Sequence, residues 1–168
     1  MSAPEKGRAL VSFSLCFQPL AAQINGLRGV LSELCAPYLD DPDELSRLLL
    51  AAHELLENIV KYSTGSFAEF HFLLEPDEHC LRARLRTKNR AHPDRLADAQ
   101  QRLDALAAAS DKVAHYDELI RASAKHREGS GLGLARIPAE TEMQLCYSTE
   151  QDWLILTAES IAFAGGPR

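Results

Sequence analysis

Residues 41–63 read DPDELSRLLLAAHELLENIVKYS, and the reading of this stretch governs the rest of the chain. Asp41 can cap a helix, Pro42 suits its first position, and Glu44 sits three residues after the cap. A helix should therefore start here, run to Tyr62 and end before Thr64-Gly65. At about 100° per residue, Leu45, Leu48, Leu49, Ala52, Leu55, Leu56, Ile59 and Val60 fill one face. Glu54, Asn58 and Lys61 share a narrow sector of the other face, with Glu57 beside them. Charged faces of this kind are ordinarily just solvated, and His53 is ordinarily a packed or exposed histidine. Asn58 argues for more, because asparagine is a mediocre helix former and this is a helix centre. Its amide oxygen is also a hard ligand that Mg²⁺ accepts beside phosphate oxygens. Glu54, one turn earlier, is placed to orient or deprotonate a nucleophile near a terminal phosphate. Lys61 has two readings, a phosphate contact or a snorkelling surface lysine.

Working outward, ALVSFSLCF (9–17) alternates apolar and polar residues as a half-buried strand does. From Pro19 to about Leu39, the residues Leu20, Ile24, Leu27, Val30, Leu31 and Leu34 recur at helical spacing. Downstream, FAEFHFLLE (67–75) and CLRARLRT (80–87) flank Pro76-Asp77-Glu78-His79, which predicts a hairpin. Residues 88–127 are polar and alanine-rich, with helical patterns around 93–109 and 112–125. EMQLCYS (142–148) and WLILTAE (153–159) read as a final strand pair, and the tail 161–168 as frayed. Neighbouring strands with short connections favour antiparallel pairing, with the helices on one face. The expectation is one domain spanning 1–168: an α+β two-layer sandwich with a mixed, mostly antiparallel sheet.

In EGSGLGLARI (128–137), Gly129, Gly131 and Gly133 alternate ahead of a short helix expected to reach about Glu140. Glycines there permit close backbone approach, and a helix start offers free N–H groups to an anion. No GK[ST] follows, so this is not a Walker A loop. RASAKHRE before it is not a strand, so a Rossmann fingerprint fits badly. Taken alone, the loop reads equally as a tight turn and cap.

Composition narrows the function. With 168 residues, a net charge of −6 and a pI near 5.5, broad attraction to nucleic acid or to an anionic membrane is not expected. No apolar run approaches the roughly 20 residues of a membrane span, and MSAPEKGRAL lacks the apolar core of a signal peptide. Cys16, Cys35, Cys80 and Cys146 form no CxxC, and the histidines form no HExxH, so no zinc signature is present. Scattered cysteines among apolar residues suit a reducing, cytoplasmic setting.

Taken in order, the two segments resemble the GHKL (histidine kinase-like, Bergerat) ATPase superfamily. Glu54-x-x-x-Asn58-x-x-Lys61-Tyr62 resembles its N box, and Gly129-Ser130-Gly131-Leu132-Gly133-Leu134 its glycine box. Short length and the opening strand and helix resemble the anti-sigma-factor serine/threonine kinases, and GSGLGLARIPAETEMQLCYS is closest to SiaB-like kinases. The resemblance covers roughly residues 10–160. It implies the Bergerat sandwich and ATP with Mg²⁺ as cofactors. In it Asn58 binds the metal, Glu54 is the catalytic base or orients it, and Lys61 lies near phosphate. It also implies that the backbone of Gly129, Ser130, Gly131, Leu132, Gly133 and Leu134 holds the β- and γ-phosphates, under a lid at about 90–128. The implied activity is phosphorylation or sequestration of a small antagonist (STAS-like) protein or sigma factor in a bacterial partner-switching pathway, in a protein type that often forms homodimers.

One motif departs from the family pattern. The adenine-binding DxGxG should follow the strand ending near Thr87, where the chain reads TKNRAHPDRL. Asn89 or Thr87 would then supply the adenine hydrogen bond, with a neutral group in place of a charged one. Asp94, after Pro93, is a second candidate or simply a helix cap. The departure also keeps open a different class of function, a non-catalytic interaction module with weak or no nucleotide binding.

Overall fold

The computed structural model describes residues 9–77, 80–123 and 132–163. Its elements are β1 (Val11–Phe17), α1 (Ala21–Cys35), α2 (Pro42–Tyr62), β2 (Ser63–Asp77), β3 (Cys80–Ala91), α3 (Pro93–Ala108), α4 (Lys112–Ser123), α5 (Leu132–Glu140), β4 (Gln144–Glu150) and β5 (Trp153–Phe163). The strands form one sheet in the order β1-β2-β3-β5-β4. All four pairings are antiparallel, so among the described residues the sheet is wholly antiparallel rather than mixed. The result is an α+β two-layer sandwich.

The helix α2 begins where local chemistry says it should. Asp41 accepts from the Asp43 N–H at 2.9 Å, and Pro42 occupies the first helical position, where a missing N–H costs nothing. Leu48, Ala51, Ala52, Leu55, Leu56 and Ile59 of α2 are essentially inaccessible. They pack with Phe70, Phe72 and Leu74 of β2, Leu81, Ala83 and Leu85 of β3, and Leu154, Leu156 and Ala158 of β5. Each of the larger of these side chains stabilises the fold by about 1.5–3 kcal/mol through burial alone. At the β1 edge, Phe13 packs beside Phe70 and Phe72, with ring centroids 6.0 and 5.7 Å away.

Two strands outrun their sequence signals. The strand β2 starts at Ser63, which pairs with Ala91, and a bulge separates that contact from Ala68↔Asn89. The strand β3 continues to Ala91 because Lys88, Asn89 and Arg90 pair with Ile155, Leu154 and Trp153 of β5. TKNRA is therefore strand, with Thr87, Asn89 and Ala91 facing the helices and Lys88 and Arg90 facing away. The strand β5 runs to Phe163, into the stretch expected as tail; 164–168 lie outside the described residues.

Where a lid was expected, α3 and α4 fold over the C-terminal half of α2, and 124–131 lie outside the described residues. His92 caps α3, its Nδ1 accepting from the Asp94 N–H at 3.4 Å. The helix α4 has no buried residue of its own and rests on α5. The helix α5 contains Pro138 in its interior.

Candidate nucleotide site

A cavity of about 640 Å³ opens between the C-terminal half of α2, the ends of β3 and β5, and the helices α3, α4 and α5. One part of its wall is apolar: Leu103 and Leu106 of α3, Leu119 of α4, Leu132 and Leu134 of α5, and Leu154 of β5. Charged side chains line the rest, with Glu54, Glu57 and Asp98 against Lys61, Arg95 and Arg102. Acid and base are thus balanced. A polyanion would gain little net attraction unless a cation came with it.

Part of the polar sector of α2 is withdrawn from solvent. Glu54 and Asn58 are 8% and 7% exposed, covered by the elements around the cavity. The Glu54 Oε1 accepts from Arg136 Nη1 of α5 at 3.2 Å. A carboxylate this buried is costly without a charged partner. The Asn58 Nδ2 is buried with no hydrogen-bond partner among the described residues. An unanswered donor on a cavity wall is where a ligand atom or water belongs. Lys61 lies on the same wall but is engaged: its Nζ meets Glu57 Oε2 at 2.5 Å, and its side chain is largely exposed. That hydrogen bond pulls the Glu57 carboxyl down and pushes the Lys61 ammonium up from their ordinary values. His53 Nε2 reaches the other oxygen of Glu57 at 3.4 Å, so His53 serves the same surface cluster.

From the glycine segment, Leu132, Gly133 and Leu134 reach the cavity; Gly129, Ser130 and Gly131 lie outside the described residues. Glycine at position 133 leaves room that the end of the Glu54 side chain occupies. A Cβ there would lie 2.4 Å from Glu54 Oε2. The first turn of α5 and the central carboxylate of α2 are therefore in direct apposition, although far apart in sequence.

Asn89 lies apart from these residues. It is wholly buried on the helix-facing side of β3, its Nδ2 donates to the Arg90 carbonyl at 3.2 Å, and it is not on the cavity wall. The Asn89 Oδ1 and the Thr87 Oγ1 are both buried without a partner among the described residues. Ala91, the next inward position, does line the cavity. Asp94 is exposed at the start of α3.

Sequence reasoning did not single out the α3 contributors. Arg95, Ala99, Arg102, Leu103 and Leu106 recur at helical spacing and share the face turned to the cavity. That signal was legible, although its destination was not. Arg136 was also missed. It lies 82 residues from Glu54, and no local pattern joins them.

As a metal site, the wall offers the Asn58 amide and the Glu54 and Glu57 carboxylates. Among the described residues, no cluster of three or more His, Cys, Asp or Glu could hold a metal ion alone. These few hard oxygen donors fit Mg²⁺ that arrives on phosphate and keeps several waters.

No protein-family model matches the chain, and no curated protein matches its sequence. Among solved structures, a chain of the SiaB–SiaC complex from Pseudomonas aeruginosa is similar over 91% of this chain and 90% of that one, with a TM-score of 0.65 at 19% identity. At that identity the likeness is one of fold.

Proposed function

We propose that this protein is an ATP-binding serine/threonine kinase of the GHKL, anti-sigma-factor type. It phosphorylates a small partner protein in a bacterial partner-switching pathway in the cytoplasm. One observation carries the reading. Glu54 and Asn58, from one motif-like segment, and Gly133 and Leu134, from the other, line a single cavity. Its volume of about 640 Å³ lies in the range of small-molecule sites, and its wall has an apolar part for a base and a polar part for phosphates. The likeness to a chain crystallised as the SiaB–SiaC complex supports a protein acceptor. None of the four cysteines forms a disulfide among the described residues, in keeping with a reducing compartment.

In this reading the adenine lies against Leu103, Leu106 and Leu154, and the phosphates run toward Asn58 and the start of α5. Mg²⁺, when bound, neutralises phosphate charge as it develops. The Asn58 amide holds that cation's place on the wall, and Lys61 turns from Glu57 to a phosphate oxygen. The acceptor hydroxyl oxygen attacks the γ-phosphorus as the bond to the bridging oxygen breaks, and ADP leaves. The Glu54 carboxylate orients that hydroxyl and takes its proton.

A second reading is a GHKL-fold interaction module that does not turn over nucleotide. It is favoured by Asn89, which stands near the expected adenine box but points into the core and not into the cavity. Calorimetric titration with ATP, with and without Mg²⁺, separates the two. The kinase reading expects Mg-dependent binding that weakens at least about tenfold, or ~1.4 kcal/mol, in Asn58→Ala. Glu54→Gln should keep that binding and lose about 10²–10⁴-fold in transfer rate. Absence of binding at millimolar ATP would sink the kinase and leave the module.

A further inference from the structure

Arg136 makes two contacts of different character. Its Nε donates to Glu140 Oε2 at 2.9 Å, one turn along α5, where both side chains are more than a third exposed. Such an i,i+4 surface pair is ordinary and weak. Its Nη1 donates at 3.2 Å to Glu54, whose side chain is 9% exposed. This second contact crosses from α5 to α2 and answers a buried charge. The helix α4 packs along α5, and burial together with the nearby Glu140 charge raises the hydroxyl of its Tyr116 above its ordinary pKa. A polar chain therefore runs from Glu140 through Arg136 to Glu54, with Tyr116 of α4 beside it. The helix α4 has no buried residue of its own.

Resting on the reading of Glu54 given above, we propose that Arg136 is the positioning residue for Glu54, and that it transmits the docking of α4 to that carboxylate. The guanidinium fixes one carboxylate oxygen, and the backbone at Gly133 closes off the space beside the other. When α4 is docked, Tyr116 helps hold Glu140, Glu140 holds Arg136, and Arg136 holds Glu54 in one rotamer. When α4 lifts, the guanidinium loses one anchor and the carboxylate its orientation. Lid position is thereby coupled to the group that meets the acceptor hydroxyl, so transfer is favoured only over an enclosed site.

The test has an arm that needs no nucleotide. Amide hydrogen exchange over 112–123 is measured in the wild type, Arg136→Gln, Glu54→Gln, the double variant and Tyr116→Phe. Arg136→Gln and Tyr116→Phe should speed exchange of α4 on the order of threefold to tenfold. Glu54→Gln should speed it less, and should add nothing in the Arg136→Gln background. Unchanged exchange in Arg136→Gln, or fully additive effects, would overturn the coupling whatever the protein does with ATP.

The second arm is kinetic. Arg136→Gln should lower turnover about 10–100-fold while ATP affinity stays within about threefold, and Arg136→Lys should restore part of the rate. A loss confined to ATP affinity would make Arg136 a binding residue and overturn the positioning role. If the wild type binds no ATP, the kinase reading fails, and the exchange arm still decides whether Arg136 links α4 to Glu54.

Discussion

On the outward side of β3, Arg84 meets Glu159 at 3.0 Å, Lys88 meets Glu150 at 3.0 Å, and Arg82 meets Asp77 at 2.6 Å. Arg90 reaches Asp152 at 3.5 Å, and Lys88 and Arg90 both lie over the ring of Trp153. On the inward side of the same strand, the Thr87 Oγ1 and Asn89 Oδ1 meet no partner among the described residues. The outward cations are conspicuous in sequence and energetically modest, because exposed ion pairs contribute about 0.2–1 kcal/mol each. The inward pair is inconspicuous and costly, at about 1–3 kcal/mol for each unanswered buried group. A run of answered charge therefore signals a solvated sheet face, whereas an unanswered buried polar group calls for a functional account.

The contrast between faces can be pressed hardest with sulfur. Cys16 and Cys146 are exposed, while Cys35 is buried, and burial pushes its thiol up to about 12. Maleimide labelling of the folded protein near pH 8 should modify Cys16 and Cys146 on the order of a thousandfold faster than Cys35. Comparable rates would show that the helix layer opens readily. Next in size is Asn89→Leu, which replaces a polar side chain whose oxygen is unanswered with an apolar one of the same branching. Thermal stability should hold or rise, and ATP affinity should fall about 10–100-fold if Asn89 Oδ1 serves the base. Unchanged affinity would detach Asn89 from the nucleotide altogether.

Smaller still is Gly133→Ala. The added methyl displaces Glu54 Oε2, but alanine recovers about 1 kcal/mol of helix propensity, so the midpoint of unfolding should move by only a few degrees. Turnover should nonetheless drop roughly tenfold or more, because the carboxylate is pushed off its position. Smallest is Arg84→Met, expected to cost less than about 1 kcal/mol in denaturant titration. A larger loss would mean that the outward face is more than a solvated surface.

How much of this was legible depended on how local each cause is. The start of α2 was readable because Asp41 and Pro42 act within one turn, and its end because Ser63-Thr64-Gly65 breaks the pattern. The Lys61–Glu57 pair follows from i,i+4 spacing alone. The inward direction of Asn89 was not readable. Cations at 88 and 90 disguise a strand that only pairing with Ile155 and Trp153 reveals. A helical wheel puts Glu54 and Asn58 on one face, but says nothing of the elements that bury that face. That knowledge is tertiary, as is the Arg136 contact across 82 residues.

Pro138 has a consequence for the glycine segment itself. Four residues after Leu134, it has no N–H to donate, so the Leu134 carbonyl lacks its helical i+4 donor. The first turn of α5 is thus fastened by one bond fewer than an unbroken helix would have. Rewinding residues 132–134 around an incoming group forfeits correspondingly less, by about 1 kcal/mol. The start of α5 can then shift by a turn while Ala135 and Ile137 stay seated in the core as its pivot.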